Sequence, residues 1–165
     1  DSGDFTNSVR RLKLGDHVFV DGPHGTFTLE RHPAPGYVFL AAGVGVTPFL
    51  SMLSTLADLG DTRPCWLFLG NRNESQVVGI RQLARARGRV NLRTIHVISK
   101  PGKDWLGEKG RINVRLLARH LPENYRDLHY FVCASDDVVR SLTRMLRRGL
   151  DVPAEQVHAE LFQMV

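Results

Sequence analysis

The chain has 165 residues, 42% of them apolar and 24% charged, with 22 Lys and Arg against 17 Asp and Glu, a formal net charge of +5. A length near 150 residues predicts about one domain with a real core, and the near-average composition excludes a disordered tail, a collagen-like repeat and a disulfide scaffold. Acidic residues are interspersed among the basic ones, so the positive balance suits phosphate-bearing small molecules as readily as nucleic acid.

In chain order, the sequence opens at Asp1 without an initiator Met or a signal sequence and reads as a piece of something longer. Val18-Phe19-Val20 and Thr26-Phe27-Thr28-Leu29, around Gly22-Pro23-His24-Gly25, predict short antiparallel strands, and Arg31 to Pro35 a linker. The expected division is 1–35 as the end of a β-rich domain plus linker, and 36–165 as one α/β domain. Tyr37 to Ala41 reads as a buried strand. Pro48 to Leu59 reads as a helix with Phe49, Leu50, Leu53, Leu56 and Ala57 on one face, Thr47 as its cap and Pro48 at its first position.

Further along come a strand at Cys65 to Leu69, a helix at Gln76 to Arg87, a strand at Leu92 to Ile98 and a short helix at Val114 to Leu121. His129 to Cys133 reads as a strand, and Asp136 to Arg148 as a helix with Val138, Leu142, Met145 and Leu146 inward and Gly149 as its stop. A last strand falls near Val157 to Ala159. Repeated βα units without tight hairpins predict an α/β fold, a doubly wound five-stranded parallel sheet with helices on both faces. No stretch supplies the roughly 20 apolar residues of a transmembrane segment. Cys65 and Cys133 read as separate buried thiols, which suits a reducing, cytoplasmic compartment. The seven histidines have no HExxH or CxxC companion, so no metal site is expected.

The most informative stretch is Ala41-Ala42-Gly43-Val44-Gly45-Val46-Thr47-Pro48, between the first strand and its helix. Two glycines permit a tight turn with helix amides pointing at an anion, so a diphosphate site competes here with an ordinary βα turn. Pro48 stands where the dinucleotide fingerprint has its third glycine, and no Gly-Lys-Ser/Thr follows to make a P-loop.

Gly43-x-Gly45-x-Thr47-Pro48, Phe68-Leu69-Gly70-Asn71-Arg72, Lys109-Gly110-Arg111-Ile112, Val132-Cys133 and His158-Ala159-Glu160-Leu161-Phe162 occur in one order. That ordered set resembles the nucleotide domain of the ferredoxin–NADP reductase family. Gly3-Asp4-Phe5-Thr6 and Asp21 to Phe27 resemble the end of that family's antiparallel flavin barrel, and are most similar to its ferric-reductase and NADPH-oxidase branch. The resemblance implies that 1–35 is a C-terminal remnant of a flavin-binding β-barrel and 36–165 an NAD(P)H-binding domain. It implies NADPH or NADH as cofactor, with FAD bound mostly by an upstream flavin domain of the same parent chain. Gly43, Gly45, Thr47 and Pro48 would hold the pyrophosphate.

Arg72, and Arg81 beyond it, would reach a 2′-phosphate, with Arg111 in a neighbouring loop; a solvated surface arginine is the plain alternative for each. Cys133 would line the hydride-transfer pocket beside the nicotinamide, Glu160 and Phe162 would lie against the isoalloxazine, and Thr6 would contact the flavin pyrophosphate. Cys133-Ala134-Ser135 departs from the family's usual Cys-Gly-Pro, which puts contacts from Ala134 and Ser135 in doubt.

The implied reaction is hydride transfer to FAD, then electrons to a haem, ferric iron or oxygen acceptor. The acceptor would be a membrane haem domain or another redox partner, with the parent at the cytoplasmic face of the membrane. Two alternatives stand beside it. The chain is a nucleotide-binding module without activity of its own, its flavin domain truncated; or Arg81, Arg85, Arg87, Arg89 and Arg93 form a nucleic-acid stripe. No aromatics interleave that stripe, so a nucleic-acid partner is not expected.

Overall fold

The computed structural model describes residues 4–22 and 24–161. Its strands are β1 (Tyr37–Ala42), β2 (Cys65–Asn71), β3 (Leu92–Ile98), β4 (Glu108–Lys109), β5 (His129–Ala134) and β6 (Val157–Leu161). All pair in parallel, in the order β4-β3-β2-β1-β5-β6. Helices α1 (Asp4–Arg11), α2 (Thr47–Asp58), α3 (Ile80–Arg87), α4 (Val114–His120) and α5 (Asp136–Gly149) complete the fold.

A parallel sheet is covered on both faces, which is why its central strands read as unbroken apolar runs. Tyr37, Phe39 and Ala41 point to one core, shared with Phe49, Leu53 and Leu56 of α2 and Leu83 and Ala86 of α3. Val38 and Leu40 point to the other, shared with Leu116 and Leu117 of α4 and Val139, Leu142 and Leu146 of α5. Each such side chain contributes about 1.5–3 kcal/mol by leaving water.

The sheet has six strands rather than the expected five. The sixth, β4, is two residues long and carries no apolar run, so nothing in the local pattern announces it. Its Glu108 carboxylate accepts hydrogen bonds from Arg119 and pairs with His120 of α4, both at 2.7 Å. The helix expected from Gln76 begins only at Ile80: Glu74–Gln76 is a 3-10 turn, and Gly79 (φ 79°) takes a left-handed step before α3. On α5 the buried face is Val139, Leu142 and Leu146, with Val138 and Met145 only half-buried beside them. Gly149 is the last helical residue rather than a stop beyond it; the left-handed residue that follows is Asp151 (φ 54°).

The expected antiparallel pair ahead of the linker does not form. Val18, Phe19 and Val20 are exposed, Phe19 completely, and no strand occurs among the described residues before Tyr37. An extended segment gains nothing as a strand unless another strand takes up its backbone groups. Phe27 and Leu29 instead pack against the first core, Phe27 edge-on to Phe131 at 5.3 Å.

Arg63 ties the linker to the sheet. Its Nη1 donates to the Ala34 carbonyl at 3.1 Å and to the Tyr37 hydroxyl at 2.7 Å, while its Nε donates to both Asp61 carboxylate oxygens. Those bonds hold the Asp61 carboxyl below its ordinary range. Arg63→Ala is expected to cost about 1–3 kcal/mol in urea unfolding at neutral pH, because its charge-assisted bonds to Asp61, the Ala34 carbonyl and the Tyr37 hydroxyl go. Asp61 is more acidic folded than unfolded, so its contribution is whole above about pH 4 and disappears as pH falls through the folded value. The difference between wild type and variant should therefore shrink in acid to what the Ala34 and Tyr37 bonds contribute; a difference unchanged from neutral pH to strong acid would contradict the assignment.

Candidate functional site

Strand β1 sends its connection to β2 on one side and stands beside β5 on the other, so the winding reverses between them. In open parallel sheets that reversal leaves a crevice beyond the strands' carboxyl ends. A cavity of about 730 Å³ lies there, walled by Gly43 and Val44 after β1, Asn71 and Arg72 at β2, Ser99 after β3, and Arg111 after β4. The first turns of α5 close it with Asp137 and Ser141.

The two glycines of the first turn have different jobs. Gly43 has φ 55°, and a Cβ there would meet open space, so the backbone stands bare beside the cavity. Gly45 is buried, and a Cβ there would sit 2.0 Å from the Cys133 carbonyl oxygen. It lets the turn press against β5. Thr47 is the first residue of α2 rather than its cap; its hydroxyl donates back to the Val44 carbonyl at 3.0 Å. Pro48 follows in the first helical turn, where its missing N–H leaves no bond unmade. Neither Thr47 nor Pro48 lines the cavity. The helix start nonetheless leaves amides without intrahelical acceptors and a positive dipole end near the crevice.

Asn71 is the residue that the motif reading passed over. It is the only polar residue among the described ones counted as buried, and both its side-chain oxygen and nitrogen lack a hydrogen-bond partner. An orphaned buried amide costs about 1–3 kcal/mol, and this one belongs to a residue on the cavity wall, which makes Asn71 a candidate to pair with a ligand's polar group. The one signal in the sequence is a polar residue ending an otherwise apolar strand. Beside it Arg72 is exposed, and neither Arg72 nor Arg111 forms an ion pair among the described residues. Arg81 is exposed on α3 and lies outside the cavity wall.

Cys133 sits one residue from the end of β5, buried, in register with Glu160 of β6. Burial, then the Glu160 charge, pushes its thiol up to about 11. Burial pushes Cys65, in the same core, up to about 12. Thiolate is the reactive form, so at pH 8 Cys133 should alkylate about two orders of magnitude more slowly than an unperturbed cysteine. Mass spectrometry after iodoacetamide treatment of the folded chain tests this; rapid labelling of Cys133 would show an activated thiol. Phe162 lies outside the described residues, as does the side chain of Thr6, whose backbone belongs to α1. Ala134 is buried, and Ser135 starts α5 in an extended conformation without a side-chain capping bond.

Residues 39–143 match the family described as oxidoreductase NAD-binding domain. Ferredoxin–NADP reductase B of Sorangium cellulosum is 37% identical over 166 aligned positions, covering 93% of this chain and 65% of that protein. This chain therefore spans about two thirds of that relative's length. The solved CS-b5R domains of human Ncb5or, in the NAD+ form, superpose with a TM-score of 0.73 at 28% identity, over 96% of this chain and 46% of theirs. Flavohemoglobin from Malassezia yamatoensis, solved with FAD and heme, gives 0.80 at 22% identity, over 98% of this chain and 41% of its own, a likeness of fold. With its switch-point cavity and this match across more than half its length, the chain belongs to the oxidoreductase NAD-binding domain family, of ferredoxin reductase type.

Proposed function

We propose that the chain is the NAD(P)H-binding domain of a flavin-dependent oxidoreductase, passing reducing equivalents from the dinucleotide to FAD and onward to an acceptor. The observation that carries this reading is the orphaned Asn71 amide on the wall of the switch-point cavity, flanked by a bare glycine turn and two unpaired arginines. Those features suit a dinucleotide: backbone amides and a helix dipole for the pyrophosphate, an amide for a ribose or base edge, and guanidinium groups for phosphate. When bound, the nicotinamide supplies a hydride to the flavin.

The chain's own residues bind and orient. Gly43 lets the backbone approach the pyrophosphate, and Gly45 places the turn against the Cys133 end of β5. Arg72 holds a 2′-phosphate and Arg111 assists from the loop after β4. Cys133, protonated and buried, packs behind the glycine turn at the carboxyl end of β5 rather than attacking anything. Glu160 stands beside it on the neighbouring strand, where it positions or protonates, and Phe162, outside the described residues, is assigned to the flavin ring. FAD, with Thr6 at its pyrophosphate, is held mostly by an upstream flavin domain.

Gly3-Asp4-Phe5-Thr6 and Asp21 to Phe27 favour a ferric-reductase-like parent with a membrane haem domain as acceptor. Among the described residues no helix is long and apolar enough to cross a membrane. The two free, buried cysteines suit a cytoplasmic setting for this domain. Calorimetric titration with NADPH and NADH tests the reading: saturable binding of at least one supports it, and binding of neither overturns it.

A further inference from the structure

The fold brings together three histidines that the sequence separates by up to 126 positions: His32 of the linker, His129 at the start of β5 and His158 of β6. One ligand nitrogen from each lies within 4.8 Å of the others. His129 Nδ1 and His158 Nε2 are 3.0 Å apart. The His32 ring stacks on His158 with centroids 3.6 Å apart, and Phe131 floors the group, 4.8 Å from His158 and 5.9 Å from His32. β5 pairs with β6 so that Phe131 stands beside His158, and His129, two residues earlier, shares that face. The group lies towards the amino end of β5, away from the nucleotide cavity at the carboxyl ends.

We propose that His32, His129 and His158 form a three-imidazole site for a borderline divalent cation of the zinc type, clamping the linker to the β5–β6 edge. Three imidazoles suit such a metal, and water can complete a tetrahedron. With metal–nitrogen bonds of about 2.0–2.1 Å, tetrahedral ligand nitrogens stand about 3.3–3.4 Å apart. The His129–His158 pair is already near that spacing, and His32 needs only to turn its ring out of the stack. Burial and its histidine neighbours hold His158 at about 4 and His129 below its ordinary range, so both are neutral at pH 7. The hydrogen bond between His129 Nδ1 and His158 Nε2 gives way when both lone pairs turn to a metal, its proton moving to the other nitrogen of the donor ring. The site does not depend on the dinucleotide reading.

The test is zinc binding by competition with a chromophoric chelator, on the metal-stripped full 165-residue chain, with cobalt(II) absorption as a second readout. The expected result is about one equivalent of zinc, a low-coordinate cobalt spectrum and a higher melting temperature with zinc. His158→Gln and His32→Gln should each weaken binding by at least about 10–100-fold, while His17→Gln leaves it unchanged. His32 lies outside the sheet, so its variant retains the strand packing even if His158→Gln unfolds. Absence of stoichiometric zinc binding, or binding that survives His32→Gln at full strength, would overturn the proposal.

Discussion

Gly45→Val should melt the domain far earlier than wild type. A Cβ at this position would lie 2.0 Å from the Cys133 carbonyl oxygen and 2.6 Å from its carbon, and both are backbone atoms of a central strand. They cannot swing aside as a side chain would. Overpacking of a core typically costs about 1–3 kcal/mol, and a backbone obstacle belongs at or beyond the top of that range. For a domain of this size, 1 kcal/mol moves the melting temperature by about 2–4 °C, so a loss of about 6–12 °C or more is expected by differential scanning calorimetry. Dinucleotide binding would fall with it, as a consequence of the displaced turn.

Gly43→Ala separates the two effects. Its Cβ meets open space, and the cost is the left-handed φ of 55°, about 1–2 kcal/mol. That variant should stay folded and still bind less well, because the new methyl group stands at the cavity. A Gly45 variant as stable as wild type would show that the turn does not rest on β5.

Arg72→Ala should weaken NADPH binding about 10- to 100-fold while leaving NADH nearly unchanged, the fold difference corresponding to a charge-assisted hydrogen bond of about 1.5–3 kcal/mol. The selectivity follows from placement. Arg72 is exposed at the cavity rim, forms no ion pair among the described residues, and follows the buried Asn71 at the end of β2. Its removal disturbs no core contact, so melting should be unchanged. The measurement is paired calorimetric titrations with the two dinucleotides. Equal losses for both would place the guanidinium on a group that NADH and NADPH share. No loss for either would return Arg72 to the solvated surface and shift the anion role to Arg111.

Much of this molecule is legible in the amino-acid order. Tyr37–Ala42 and, within β5, residues 130–134 are unbroken apolar runs because both faces of a parallel strand are buried, and their short length between turn residues marks them as strands. The turn at Gly43 to Pro48 is equally plain, since two glycines admit a tight turn and Pro48 suits the first helical turn that follows. The expected strands at Val18–Val20 and Thr26–Leu29 show the converse. Their composition favours extended chain, yet no neighbour supplies partners, and Phe27 and Leu29 are recruited as packing for the first core instead. Strand β4 is invisible for the opposite reason: two charged residues become a strand only because β3 is there to pair with them.

By itself, then, the order of residues determined the βα alternation and the glycine turn at the first crossover, since each depends on neighbours within a few positions, and repeated βα units without hairpins imply parallel pairing. Only the tertiary structure decided which glycine faces the cavity and which presses on β5, that Asn71 stands buried without a partner, and that His32, His129 and His158 meet. Each of those depends on residues distant along the chain, and the winding of the sheet about β1 sets their approach.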